Sequence, residues 1–127
     1  MAAEFEGTIE VGYNTDLWGP YGFKFPICSS ETANDGMIPY GDTIASVNVR
    51  GFQGKVTRKS TLSEETEITN LVDPDDAPEI NVDKDKVSLK LQYPGVTYKG
   101  QKATLIFELT LTSGATKSFY FQYVRIR

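Results

Sequence analysis

Apolar and polar residues alternate along much of the last third of the chain. In Lys86–Tyr93 the apolar side chains occupy every second position, at Val87, Leu89, Leu91 and Tyr93. Residues 102–112 repeat the pattern on one face, with Ala103, Leu105, Phe107, Leu109 and Leu111. Ile106 is the one apolar residue on the opposite face, which otherwise carries Thr104, Glu108, Thr110 and Thr112. A two-residue period of this length is typical of half-buried antiparallel strands.

A hairpin follows the second of these segments. Ser113-Gly114-Ala115 predicts a tight turn, since glycine adopts positive φ without a steric penalty. The return strand, Thr116–Ile126, has aromatic residues on one face, at Phe119, Phe121 and Tyr123, but Tyr120, Val124 and Ile126 on the other. Such a strand is either buried on both faces or carries a bulge that switches the inward face midway, and we favour the bulge.

Shorter segments along the rest of the chain also indicate strands. They are Phe5–Val11, Phe23–Ile27, Thr43–Arg50, Glu67–Val72 and Glu79–Val82. Pro26 places the second of these at a sheet edge or strand end, and the prolines and acids of Asp73–Pro78 predict a loop. Val, Ile and Thr total 30 residues against 17 for Ala, Leu and Met, which favours strands over helices. We predict one all-β domain over residues 1–127, an antiparallel sandwich of seven or eight strands, with a small β-barrel as the alternative.

The charged residues exclude several classes of function. The 13 Lys and Arg against 17 Asp and Glu give a net charge of −4, and no strong cationic cluster is visible, so we expect no nucleic-acid partner. Histidine is absent from the chain, which removes His-based triads, His zinc sites and imidazole pH switches. We expect no enzyme activity and no cofactor.

Cysteine and the N-terminal residues bear on the cellular compartment. Cys28 is the single cysteine, so no internal disulfide forms, and we interpret it as a small buried or half-buried hydrophobic residue. Residues 1–6 have neither the basic nor the apolar region of a signal peptide. No apolar run approaches the roughly 20 residues of a membrane span. We expect synthesis in the cytoplasm and no membrane partner.

The segment Tyr13–Gly22 carries the only tryptophan of the chain and is rich in glycine and proline. We interpret it as a loop whose aromatic side chains, Trp18, Tyr13 and Tyr21, are candidate binding residues. Aromatic rings on a rigid loop can stack on a sugar ring or anchor a protein partner. The alternative is that Trp18 fills one end of the core while the loop wraps around it.

Two groups of acidic residues are weak candidates for a calcium site, Asp73, Asp75 and Asp76 in one group and Asp83 and Asp85 in the other. Calcium requires about six to eight oxygen ligands, which two loops at one end of a sandwich can supply. The spacing does not match an EF-hand, and lysines lie within the second group, so solvated loops are the alternative that we favour and we expect no metal.

Among the cations, Lys55, Arg58 and Lys59 form the densest stretch. The ending Arg125-Ile126-Arg127 has too few positive charges to bind an anionic surface such as a nucleic acid.

Three segments resemble a known group of proteins. Ile38–Val49 is similar to a GD-x-I-ASxxV opening, Tyr93–Ala103 to a G-x-x-Y turn that enters a strand, and Leu109–Gly114 with the aromatic strand after it to a closing hairpin. In this order, over residues 38–127, they resemble small immunoglobulin-like β-sandwich proteins of phage and prophage virion genes. The resemblance implies an immunoglobulin-like fold, association with a virion and no catalytic residues.

These observations together predict a non-enzymatic structural or interaction module, an accessory protein of a phage-type particle. Its partner would be another protein or a second copy of the chain, reached through strand edges and loop tips. The alternative is a carbohydrate-binding module in which the Trp18 segment binds a glycan.

Overall fold

A computed structural model describes residues 9–11, 18–75 and 77–127, with residues 18–20 described by their main chain alone. The described residues form seven strands: β1 Ile9–Val11, β2 Trp18–Lys24, β3 Ile44–Gln53, β4 Glu79–Ile80, β5 Lys86–Leu91, β6 Lys102–Leu111 and β7 Thr116–Ile126. Two single-turn 3-10 helices, Leu62–Glu64 and Val96–Tyr98, are the only helical elements within these residues.

The strands form two sheets. Sheet A has the order β1-β7-β6-β3, and sheet B has the order β2-β5-β4. Every pair is antiparallel except β1 and β7, which run parallel with Ile9 opposite Val124. Over the described part of the chain no ladder joins the two sheets into a closed cylinder. The predicted all-β sandwich is therefore confirmed over the barrel alternative, with one parallel pair that the antiparallel prediction did not include.

The core fills the space between the sheets with the residues that the alternation marked. In β5, Val87, Leu89 and Leu91 are all buried. Phe107 of β6 meets two aromatic rings from the other side of the sandwich, Phe23 at 4.7 Å and Phe25 at 5.5 Å between ring centroids. Tilted and edge-on ring pairs of this kind add to the free energy of apolar burial.

The bulge predicted in the last strand is present. Ala103 pairs with Val124 while Leu105 pairs with Phe121, so two steps along β6 correspond to three along β7. The inward face accordingly changes from Phe121 to Val124, both about 1% exposed. Tyr123 lies at this irregularity and is 57% exposed. A bulge thus explains the change of apolar face without burying both faces of the strand.

The prediction that Tyr13–Gly22 is a loop is wrong where the structure describes it. Main-chain pairing places Trp18 opposite Leu91 and Tyr21 opposite Leu89, so β2 starts at Trp18. The register shifts between Trp18 and Tyr21, where Gly19-Pro20 falls. β2 is an edge strand of sheet B, and a proline at an edge or bulge removes no ladder hydrogen bond. The strand predicted over Phe23–Ile27 correspondingly ends at Lys24, before Pro26.

The prediction of a strand over Glu67–Val72 is also wrong. The segment makes only isolated bridges, Glu67 to Phe52 and Val72 to Leu91. Between them Ile68 and Leu71, three residues apart, are both buried, and the Leu71 N–H donates to the Ile68 carbonyl in a turn. Leu71 packs over Gly51, where a Cβ atom would lie 2.9 Å from Leu71 Cδ2. The apolar pattern therefore belonged to a turn that closes on β3.

Two other strands differ from their predicted bounds. The strand predicted over Thr43–Arg50 becomes Ile44–Gln53, and a register shift between Ile44 and Ser46 leaves Ala45 exposed instead of inward. The strand predicted over Glu79–Val82 is shortened to Glu79–Ile80. It ends there because the Asn81 side-chain oxygen accepts from the Asp85 and Lys86 N–H groups, which turns the chain back into β5.

A second apolar cluster covers part of the outer face of sheet A. It contains the buried residues Phe52, Val56 and Ile106, with Leu62 and Tyr120 packed against them. Thr104, expected to point to solvent, is fully buried beside it. Its hydroxyl accepts from the Val56 N–H at 3.0 Å and donates to the Gly54 carbonyl at 2.8 Å. This arrangement satisfies buried backbone groups that would otherwise cost about 1–3 kcal/mol each.

Candidate interaction surfaces

Of the three aromatic residues predicted to bind a partner, the structure describes the side chain of Tyr21. Tyr13 lies outside the described residues, and for Trp18 only the main chain in β2 is described. Tyr21 is half-buried and packs against the main core. Burial raises the pKa of its phenol. A ring held by the core has less face to offer a sugar or a partner than a ring on an open loop.

The two acidic groups stabilise turns. The Asp75 N–H donates to Asp73 Oδ1 at 3.0 Å, and Asn81 Nδ2 donates to Asp85 Oδ1 at 2.8 Å. Asp76 lies outside the described residues, and Asp83 is exposed in the turn between β4 and β5. Within the described ranges, no three His, Cys, Asp or Glu residues lie together as a metal site requires. The observed carboxylate contacts are those of turn-forming side chains.

Cys28 matches its structural interpretation. It is half-buried, and its main-chain N–H donates to the Ile38 carbonyl at 2.8 Å in a short bridge between the Ile27 and Ile38 segments. Gly36 packs against this bridge so closely that a Cβ atom would lie 2.7 Å from the Cys28 nitrogen. The residue is thus part of a tightly packed turn.

The outer edge of β3 carries unpaired backbone groups. After the register shift between Ile44 and Ser46, the even-numbered positions direct their backbone groups toward β6, as Gly54 shows by donating to the Lys102 carbonyl. Odd-numbered positions point away, since the Gly51 carbonyl accepts from Ile68 and the Gln53 N–H donates to Thr66. By the same alternation Val47 and Val49 direct their N–H and C=O groups away from the sheet. In the part of the chain that the structure describes, no backbone partner meets these four groups.

A polar depression of about 440 Å³ adjoins this edge on the outer face of sheet A. Its floor follows the strand register: Asn48 lies opposite Glu108, which lies opposite Ser118. The lining residues are Ser46, Val47, Asn48, Glu108, Leu109, Thr110, Thr116, Lys117 and Ser118. Hydroxyl and amide groups predominate at the outward positions, so the surface next to the free edge offers both donors and acceptors.

Polar contacts fix both ends of the free edge. Beyond Val49, Arg50 Nη2 lies 2.9 Å from Glu67 Oε1, and the hydrogen bond to Glu67 raises the pKa of the Arg50 guanidinium. Before it, Asp42 accepts from the Ser113 hydroxyl and from the Thr43 N–H at 2.9 Å. The bond from the Ser113 hydroxyl is the main reason that the pKa of Asp42 lies below its ordinary value. These contacts attach β3 to the segment after it and to the β6–β7 hairpin.

A second groove, of about 410 Å³, lies further along sheet A. Its lining residues are Lys55, Lys102, Gln122, Tyr123, Val124 and Arg125. The three cations come from the segment after β3, the first residue of β6 and the last part of β7. Spacing along the sequence could not reveal this group, because only the antiparallel pairing of β6 and β7 brings Lys102 and Arg125 together.

Comparison of the chain with protein-family models, curated proteins and solved structures gives no match. The resemblance to phage sandwich proteins thus stays a prediction from the sequence segments. Within the described residues, no helix has the length and apolar character needed to cross a membrane. Any functional assignment therefore depends on the surfaces described above.

Proposed function

We propose that the chain is a non-enzymatic structural or interaction module, an accessory component of a phage-type particle, that associates with a second copy of itself through the edge of β3. The observation that carries the proposal is the pair of residues Val47 and Val49, whose backbone groups face outward without a partner among the described residues. Such an edge accepts another extended strand by main-chain hydrogen bonding.

The strand order supports the immunoglobulin-like fold that the resemblance to phage sandwich proteins implies. In sheet A, the order β7-β6-β3 corresponds to strands G-F-C of an immunoglobulin sandwich. In sheet B, the order β2-β5-β4 corresponds to strands B-E-D. In that correspondence β3 is strand C, which lies at the edge of its sheet. The two short strands of the described chain, β1 and β4, lie at other sheet edges. On β3 the stretch that can accept a strand is centred on Val47 and Val49, because Gly51 and Gln53 already pair with Ile68 and Thr66.

A second copy fits this edge without charge repulsion. An antiparallel pair centred on Asn48 places Val47 of each copy opposite Val49 of the other, which forms four main-chain hydrogen bonds. The same register places Arg50 opposite Ser46, so no like charges face each other across the new pair. Each hydrogen bond contributes about 0.5–1.5 kcal/mol net. The pairing would join two four-stranded A sheets into one continuous sheet of eight strands.

Light scattering during size-exclusion chromatography, over a range of protein concentrations, tests the proposal. We expect a dimer that dissociates on dilution. Val47→Pro removes one outward N–H and should weaken dimerisation more than tenfold, because that N–H makes no backbone hydrogen bond within the described residues. Val47→Thr retains the N–H and is the matched control, and circular dichroism verifies the fold of both variants. A chain that stays monomeric at the highest concentration, or a proline variant that dimerises as well as the threonine variant, would overturn the proposal.

The carbohydrate-binding alternative gains no support from Tyr21, which packs against the core. It now depends on Tyr13, which lies outside the described residues, and on Trp18, the only tryptophan of the chain. A change in tryptophan fluorescence on addition of a glycan, lost in Trp18→Phe, would favour this alternative. No response across a broad glycan panel would eliminate it.

A further inference from the structure

The groove lined by Lys55, Lys102 and Arg125 concentrates positive charge in a chain whose net charge is −4. All three side chains are exposed. No carboxylate is among the residues that line the groove. Across the described ranges, none of these cations makes an ion pair within 4.0 Å. The groove is therefore a local site of positive potential on an acidic protein.

The register of β6 and β7 makes this arrangement costly. Lys102 and Arg125 are direct cross-strand partners, and like charges in that position destabilise a sheet. On the opposite side of β7, Glu10 of β1 lies across from Arg125. Its carboxylate forms an ion pair with Arg127, with Oε1 2.7 Å from Arg127 Nη2. The Glu10 carboxylate also attracts the charge of Arg125. An anion bound between Lys102 and Arg125 would reduce the repulsion between these two cations.

The bulge in β7 supplies the second component of the groove. Phe119 and Phe121 point toward the core at every second position, and an unbroken strand would direct Tyr123 inward after them. The extra residue instead leaves Tyr123 more than half exposed on the groove wall, with its ring 5.8 Å from that of Phe121. Bulges beside binding sites commonly redirect a side chain in this way.

Gln122 lines the groove and connects two of the segments that form it. Its Nε2 donates to the Val56 carbonyl at 2.9 Å, which ties β7 to the segment that carries Lys55. Lys102 is likewise tied to that segment, since its carbonyl accepts from the Gly54 N–H at 2.7 Å. The elements that present the cations and the ring are thus held together by hydrogen bonds before any ligand arrives, which reduces the entropy lost on binding.

We propose that this groove binds a small anionic ligand in which a phosphate or sulfate group is attached next to a ring. The cations would hold the oxyanion by charge-assisted hydrogen bonds, with Arg125 able to donate two in parallel. The exposed face of Tyr123 would contact the ring. A sugar phosphate or sulfate and a nucleoside monophosphate share this chemistry. The groove lies on residues other than the free edge of β3, so this proposal stands independently of self-association.

Isothermal titration calorimetry with matched probes tests both components. Glucose 6-phosphate, glucose 6-sulfate and adenosine 5′-monophosphate should bind, and inorganic phosphate, glucose and adenosine should bind at least about tenfold more weakly. A preference between the sugar and the nucleoside probes identifies the source of the ring. Failure of all three charged-ring probes to bind would overturn the proposal. Equal affinity for inorganic phosphate would also overturn it, because the ring would then contribute nothing.

Substitutions assign the binding to this groove. Lys102→Gln and Arg125→Gln should each weaken the charged-ring probes about tenfold, the effect of losing one hydrogen bond to a charged group. Tyr123→Ala should weaken them while leaving the affinity for inorganic phosphate unchanged. Lys117→Gln, on the same strand outside the groove, and Tyr40→Ala, with a tyrosine of 55% exposure elsewhere, are the matched controls. Equal losses in the controls would contradict the assignment. Thermal unfolding verifies that every variant is folded.

Discussion

The outer face of sheet A has two halves along β6. One half is covered by the segment that follows β3, and the other half is open. In the covered half, Thr104 and Ile106 lie beneath the segment that follows β3 and are fully buried. In the open half, Glu108 and Thr110 line a polar depression. The same strand therefore has one outer half that acts as core and one that remains available for contacts.

A single residue in β6 marks where the connecting segment after β3 packs on the sheet. Ile106 is the one apolar outward residue in an otherwise polar row of β6. It packs against Phe52, near the end of β3, and against Val56, in the connecting segment that follows β3. An apolar exception on a solvated face lowers the free energy only when another element covers it. The polar half has no such residue and stays open.

The largest effect should follow from Ile106→Ala in the covered half. Removal of a buried isoleucine side chain leaves a cavity and should lower the free energy of unfolding by about 2–5 kcal/mol. Urea denaturation measures it. Thr110→Ala, two outward positions further along the same strand, is the control and should cost less than about 1 kcal/mol. Equal losses would mean that the covered half contributes no more to stability than the open half.

A smaller effect should follow from Thr104→Val, which keeps the shape of the side chain and removes its hydroxyl. The Val56 N–H and the Gly54 carbonyl then lose their partner, so the free energy of unfolding should fall by about 1–3 kcal/mol. Thr104→Ser retains the hydroxyl and should cost less than the valine variant under the same denaturation assay. If the valine variant is as stable as the wild type, the hydroxyl does not hold the connecting segment in place.

The smallest effect should come from the charges at the boundary of the two halves. Glu108 lies 3.9 Å from Arg50, and its side chain is 38% exposed, so Glu108→Gln should change the free energy of unfolding by less than about 0.5 kcal/mol. Glu67 lies at 2.9 Å from the same guanidinium, and Glu67→Gln should cost more, up to about 1 kcal/mol. Thermal melts at low and high salt measure both. The reverse order would show that the longer contact is the stronger one.

Residues with a clear period were predicted well, because alternation directly states which side chains are buried. β5, β6 and the hairpin at Gly114 follow this rule, as does the bulge between Phe121 and Val124. The prediction failed at Trp18–Gly22 and Glu67–Val72, where glycine, proline or a turn of buried residues obscures the period. In both places the backbone conformation depends on a neighbouring strand more than on local preference.

The candidate surfaces were less accessible to prediction than the fold. Along the sequence the basic neighbour of Arg125 is Arg127, and the basic neighbours of Lys55 are Arg58 and Lys59. The groove instead combines Lys55, Lys102 and Arg125, which come from three segments. Alternation places Tyr123 on the same face of the strand as Phe119 and Phe121, and the position of the bulge directs it to the groove instead.

Local periodicity established that this chain is built from β-strands with one buried face, because a two-residue period is that of a strand and not of a helix. It also located the hairpin and the change of apolar face in the last strand. Four features became evident in the folded structure alone: the sandwich instead of a barrel, the covered half of the outer face, the edge of β3 that lacks a partner among the described residues, and the group of three cations. These features depend on contacts between residues far apart in sequence, and local periodicity carries no information about them.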